Sequence, residues 1–177
     1  PIEGYTPSAE RMVGGEGVVV GDFTGDQRLD IFVPTLDRDL FFVQQLDGSF
    51  KESAAEYFPE RQPSVTMGAS AVDYDGDEDL DLFVLNVDTS HQLLENKGGV
   101  FEDVSTEMGI VQERYDSFGV TWGDVDQDGD LDLLVLNTGY GPLGPPPWND
   151  SASFEVAGPN ILYKFTLGEA FSIDPIP

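Results

Sequence analysis

Asp124-Val125-Asp126-Gln127-Asp128-Gly129-Asp130-Leu131-Asp132 alternates five carboxylates over nine residues and runs directly into the apolar stretch Leu133–Leu136. The same pattern occurs twice more. Residues 73–81 read DYDGDEDLD before Leu82–Leu85, and residues 22–30 read DFTGDQRLD before Ile31–Val33. The three loops start at Asp22, Asp73 and Asp124, at a constant interval of 51 residues. Other columns keep that interval: Gly17, Gly68 and Gly119; Leu29, Leu80 and Leu131; Val33, Val84 and Val135; Phe50 and Phe101. A fixed period near 50 residues marks a repeat architecture, and a four-stranded propeller blade has that size.

Each copy reads the same way. A short β-rich run comes first, at Val18–Val20, Ala69–Val72 and Val120–Trp122. The acidic loop follows, then a strongly apolar strand. Third strands are predicted at Leu40–Gln44, Gln92–Glu95 and Ile161–Phe165. Turns follow at Asp47-Gly48, at Lys97-Gly98-Gly99 and near Gly168, and fourth strands begin near Phe50, Phe101 and Phe171. The predicted fold is therefore all-β: a β-propeller segment of three four-stranded blades of about 51 residues, part of a larger or completed propeller. A single repeat domain spans 1–177, with copies at about 13–63, 64–114 and 115–177. The third copy is longer, and its excess, 139–159, is rich in Gly and Pro, as an inserted surface loop would be. Trp148, beside a Pro triplet, is the natural anchor if that loop binds a partner. A closed propeller needs roughly four to eight blades, so three copies call for further polypeptide. Residues 1–16 are candidates for strands of a fourth, incomplete blade.

The charge is as informative as the period. Acidic residues number 34 against 8 basic ones, giving a net charge of −26 over 177 residues, while 40% of the chain is hydrophobic. That apolar share argues for a packed core rather than disorder. The charge makes nucleic acid and anionic membrane surfaces poor partners. The chain has no Cys, hence neither disulfide nor thiolate chemistry, and it has no apolar run of membrane-spanning length. It opens on Pro1 rather than Met, which fits a processed product. Asn149-Asp150-Ser151 fits the N-glycosylation acceptor pattern.

Carboxylates crowded this closely repel one another, and a cation is the natural compensation. Ca²⁺ takes six to eight oxygens, and a loop that wraps it presents alternate positions. The expected ligands at positions 1, 3, 5 and 9, with the position-7 backbone carbonyl, are as follows. In the first loop they are Asp22, Thr24, Asp26, Asp30 and the carbonyl of Arg28. In the second they are Asp73, Asp75, Asp77, Asp81 and the carbonyl of Asp79. In the third they are Asp124, Asp126, Asp128, Asp132 and the carbonyl of Asp130. Up to three Ca²⁺ ions follow, one per loop. Gly25, Gly76 and Gly129 supply the sharp turns. An EF-hand would need a bidentate Glu at position 12 and flanking helices. Val33, Val84 and Val135 stand at that position, and strands flank the loop.

With their flanking strands, these loops resemble the FG-GAP/VCBS repeats of integrin alpha-chain propellers and of the cartilage acidic protein group. The likeness covers about residues 13–177. It implies a calcium-binding β-propeller of extracellular or luminal, secretory-type compartments, with calcium as a structural element and partners bound on loops of one face. The expected role is a non-enzymatic module for protein–protein interaction or adhesion, or a scaffold subunit. Its partner is then another protein or the remaining blades. The alternative is a lectin-like or accessory domain of a secreted polysaccharide-active enzyme, with carbohydrate as partner and Trp122 or Trp148 stacking on sugar. Against it, Trp122 falls in a predicted strand and is expected in the core. His91, the only histidine, is expected at the surface or an edge, with no nucleophile constellation beside it.

Overall fold

The computed structural model describes residues 2–3, 17–59, 61, 64–86, 89–110, 117–137 and 161–175. The inserted segment 139–159, with Trp148 and the Asn149 acceptor, lies outside the described residues.

Three antiparallel four-stranded sheets follow one another along the chain. The first contains β2 (Val19–Gly21), β3 (Asp30–Val33), β4 (Leu40–Gln44) and β5 (Phe50–Glu52). The second contains β6 (Thr66–Val72), β7 (Asp81–Asn86), β8 (Gln92–Asn96) and β9 (Phe101–Asp103). The third contains β10 (Ser117–Gly123), β11 (Asp132–Asn137), β12 (Ile161–Lys164) and β13 (Ser172–Pro175). Within each set of four the strands lie in sequence order. A single helical turn, α1 (Ala54–Tyr57), follows the first sheet. The first strand, β1 (Ile2–Glu3), lies parallel to β5 on the outer edge of the first sheet. It thus extends the first blade instead of starting a fourth.

The blades stack through their inner strands, β6 packing against both β2 and β10. The repeat accounts for this stacking through the two-residue alternation of a strand. β7 is buried along its whole length. Its Leu82 and Val84 join Phe23, Phe32, Phe41 and Phe101 in a core between the first two blades. Its Phe83 and Leu85 join Leu133, Val135, Tyr163 and Phe171 in a core between the second and third. Aromatic rings fill the first core: Phe58 stacks on Phe101 at 4.5 Å, and Phe41 meets Phe23 and Phe58 edge to face. Such pairs add about 0.5–1.5 kcal/mol each beyond their buried area. Trp122 packs against the second core, as expected of a strand residue.

The same topology places every β2–β3-type loop at one pole of the stack. All three acidic loops share that pole, and the β3–β4 connection of the first blade, residues 34–39, lies at the other.

Candidate metal centre

Each acidic loop is built around three carboxylates tied to backbone. The position-1 Asp accepts the N–H groups of positions 5 and 6. Asp26 N and Gln27 N donate to Asp22 at 3.0 and 2.7 Å, Asp77 N and Glu78 N to Asp73 at 3.1 and 3.1 Å, and Asp128 N and Gly129 N to Asp124 at 3.1 and 3.2 Å. The position-5 Asp accepts the N–H of position 7, at 2.9 Å for Arg28 on Asp26, 2.9 Å for Asp79 on Asp77 and 3.0 Å for Asp130 on Asp128. These bonds curl each loop through its own backbone.

The position-9 Asp performs a different task. Asp30, Asp81 and Asp132 open the second strand of each blade and are all buried. One oxygen of each accepts the N–H of loop position 2: Phe23, Tyr74 and Val125, at 3.3, 3.2 and 2.9 Å. The other accepts an N–H where the third strand ends or just beyond: Gln44, Asn96 and Phe165, at 3.0, 2.8 and 3.1 Å. The carboxylate therefore pins loop, second strand and third strand together. Burial pushes the Asp81 carboxyl up to about 7 and raises Asp30 as well, the backbone donors opposing only part of the effect. Desolvation, with Asp77 close by, raises Asp75.

Two left-handed residues shape every loop. Position 4 is Gly25, Gly76 or Gln127, and position 6 is Gln27, Glu78 or Gly129; all six have φ between 64° and 99°. The glycines were legible in the sequence. The non-glycine partners Gln27, Glu78 and Gln127 were not, because nothing in those residue types signals positive φ.

The three loops differ in what they gather. Carboxylate oxygens of Asp73, Asp75 and Asp81 lie within 4.8 Å of one another, as do those of Asp124, Asp126 and Asp128. Asp77 and Asp132 stand outside these two groups. The side chains of Asp79 and Asp130 also stand outside, and Asp130 accepts Leu167 N at 2.9 Å. The first loop assembles no such triad among the described residues. There the Arg28 guanidinium pairs with Asp26, and its Nε donates to the Gln44 carbonyl at 2.9 Å. A side-chain cation thus sits on a predicted ligand. Thr24 Oγ1, at position 3, is buried beside the Asp30 carboxyl. In the third loop Lys164 lies 3.7 Å from Asp126.

Asn96 was missed by the sequence reading. Its side-chain amide donates to the Phe23 carbonyl of the first loop at 2.9 Å and to the Leu80 carbonyl of the second at 3.2 Å, while its own N–H holds Asp81. It joins two loops across a blade boundary.

His91 corrects an expectation. It is 2% exposed, not a surface or edge residue, because it sits at the opposite pole where blades two and three meet. Its Nδ1 accepts the Asn86 N–H at 3.3 Å, and its Nε2 lies 2.7 Å from Ser117 Oγ, which in turn donates to Asn137. With Nδ1 accepting, the ring proton is on Nε2 and points at the serine oxygen. That is the reverse of the polarity by which a histidine base activates a serine. The pair is an inter-blade tie. The first junction uses Arg61 instead, its side chain buried against Asp39 and within 3.1 Å of Thr66.

Antiparallel four-stranded blades stacked by their inner strands, each with an acidic loop between its first two strands, define a β-propeller repeat protein. A profile described as an FG-GAP-like repeat matches residues 22–84 and again 73–135. The chain belongs to the FG-GAP-like repeat family, and each match runs from the first Asp of one loop to the apolar strand of the next blade. A search of curated proteins found no match.

Proposed function

We propose that this chain is a calcium-stabilised, non-catalytic propeller module for protein–protein interaction, adhesion or scaffolding, working in a calcium-rich extracellular or luminal compartment. The convergence of three carboxylates within 4.8 Å in each of two loops carries this reading. Hard oxygen ligands at that spacing suit Ca²⁺, which accepts irregular coordination. The second loop would hold the ion with Asp73, Asp75 and Asp81, the third with Asp124, Asp126 and Asp128. Asp77, Asp132 and the carbonyls of Asp79 and Asp130 complete the sets. The first loop, with Asp22, Thr24, Asp26, Asp30 and the Arg28 carbonyl, would be the weakest, since Arg28 already neutralises Asp26. The ion would offset repulsion among buried acids and lock the loops that space the blades. No helix among the described residues is long and apolar enough to cross a membrane.

Thermal melting with and without a chelator tests the proposal. Removing Ca²⁺ should lower the melting temperature, and Mg²⁺ should restore it poorly because it demands compact octahedral geometry. A melting curve unchanged by EDTA would sink the structural role of calcium.

A further inference from the structure

The outer edge of the first blade is occupied: β1 lies along β5 in parallel, with Ile2 opposite Phe50 and Glu3 opposite Lys51. The repeat interval maps β5 onto β9, so Phe50, Lys51 and Glu52 correspond to Phe101, Glu102 and Asp103. Among the described residues nothing pairs with the outer edge of β9. An open edge presents unpaired backbone groups and is a template for another strand. Beside this edge runs a groove of about 480 Å³ between the first two blades, with Phe58, Pro59, Leu94, Val100 and Phe101 among its walls.

We propose that the β9 edge binds an extended peptide segment by strand addition, and that the segment carries an apolar residue followed by a basic one. This specifies a partner for the interaction role proposed above and rests on that reading. Its chemistry comes from register. A guest residue opposite Phe101 lies on the same face as Phe101 and Leu94, over the groove, where an apolar side chain is buried. The next guest residue lies opposite Glu102 on the other face. There Glu102 stands directly across from Glu95, a like-charge pair. Lys97 pairs with Glu95 and also acts on Glu102, so one cation serves two carboxylates. A lysine or arginine on the guest fills that position. At the blade-one edge the backbone register sets residue 3 opposite Lys51, whose side chain pairs with Glu56. A second copy of β1 added to β9 would therefore set Glu3 against Glu102, which disfavours self-addition. The net charge of −26 further favours a cationic guest.

The test uses the 177-residue chain in Ca²⁺ with two labelled peptides, acetyl-TVIKVT-amide and acetyl-TVIEVT-amide, followed by fluorescence polarisation. The lysine peptide should bind about fivefold to tenfold more tightly, as expected for exchanging a like for an opposite cross-strand pair. Glu102→Lys, at an exposed position, should reverse that preference without lowering the melting temperature, since it sets a lysine across from Glu95. Equal binding of the two peptides, no binding at millimolar concentration, or an unreversed preference in E102K overturns the proposal. So does concentration-dependent dimerisation of the wild type that disappears on deleting residues 1–3, since the occupant would then be a second copy. A chelator-sensitive melting curve with no peptide binding would leave the calcium reading intact and remove only this site.

Discussion

At the scale of single residues, one Asp column serves two ends. Asp30, Asp81 and Asp132 each hold two backbone N–H groups from separate parts of the blade. Asp81→Ala would leave the N–H groups of Tyr74 and Asn96 buried without acceptors. The loss should be about 2 kcal/mol, seen as a lower urea midpoint with or without Ca²⁺, since a buried unsatisfied donor costs roughly 1–3 kcal/mol. A loss seen only in Ca²⁺ would mean that Asp81 acts purely as a ligand. The loop ligands should rank differently. Asp77→Ala and Asp128→Ala should lower the Ca²⁺-bound melting temperature more than Thr24→Ala, because loops two and three carry four acidic candidate ligands each against three in the first. Calorimetry that finds the first loop to be the tightest site would reverse this order. Positions 1, 3, 5 and 9 were legible because their acidic character repeats. The structural task of position 9 was not, because a buried carboxylate bonded to backbone looks identical in sequence to a solvated ligand.

At the scale of elements, strand order and number followed from the period of 51, and β4 follows the predicted Leu40–Gln44. The junctions between blades followed only in part. Thr66 and Ser117 occupy one column and each bonds the Asn of another, Asn86 and Asn137, but the first then reaches Asp39 and the second His91, which share no column. Burial lowers the His91 ring to about 4, and no charged group acts on it to oppose this. In the unfolded chain it titrates near the ordinary value of about 6.5. The unfolded state therefore binds more protons between these values, so this contribution is complete above pH 6.5 and is lost as pH falls toward 4. It amounts to about 3 kcal/mol by linkage. Urea unfolding at pH 7 and pH 4.5 should show wild type losing more stability than His91→Gln over that interval, although the variant starts less stable at pH 7. Parallel losses in the two proteins would show that His91 is not the titrating group.

At the scale of the whole molecule, the repeat exposes what its end blades leave uncovered. Comparing equivalent positions makes this concrete. Leu80 and Leu131 pack against the preceding blade's core, but their equivalent Leu29 is 57% exposed. Ala71 and Trp122 do the same, while Val20 in their column is 51% exposed. On the far side, Leu85 is fully buried against the third blade, whereas its equivalent Leu136 is 46% exposed. These residues have the chemistry of a blade–blade interface at both ends of the stack. A further blade, from the same polypeptide or a neighbouring one, would bury them. Isolated at high concentration, the 177-residue chain should therefore self-associate through these faces, because contiguous apolar surface is driven out of water. Val20→Glu combined with Leu136→Glu should weaken that association without lowering the melting temperature of the monomer, since neither side chain packs in the two cores. Sedimentation velocity decides it. A wild-type chain that stays monomeric at hundreds of micromolar, or a double variant that associates as strongly as wild type, would mean that these faces are not blade-docking surfaces.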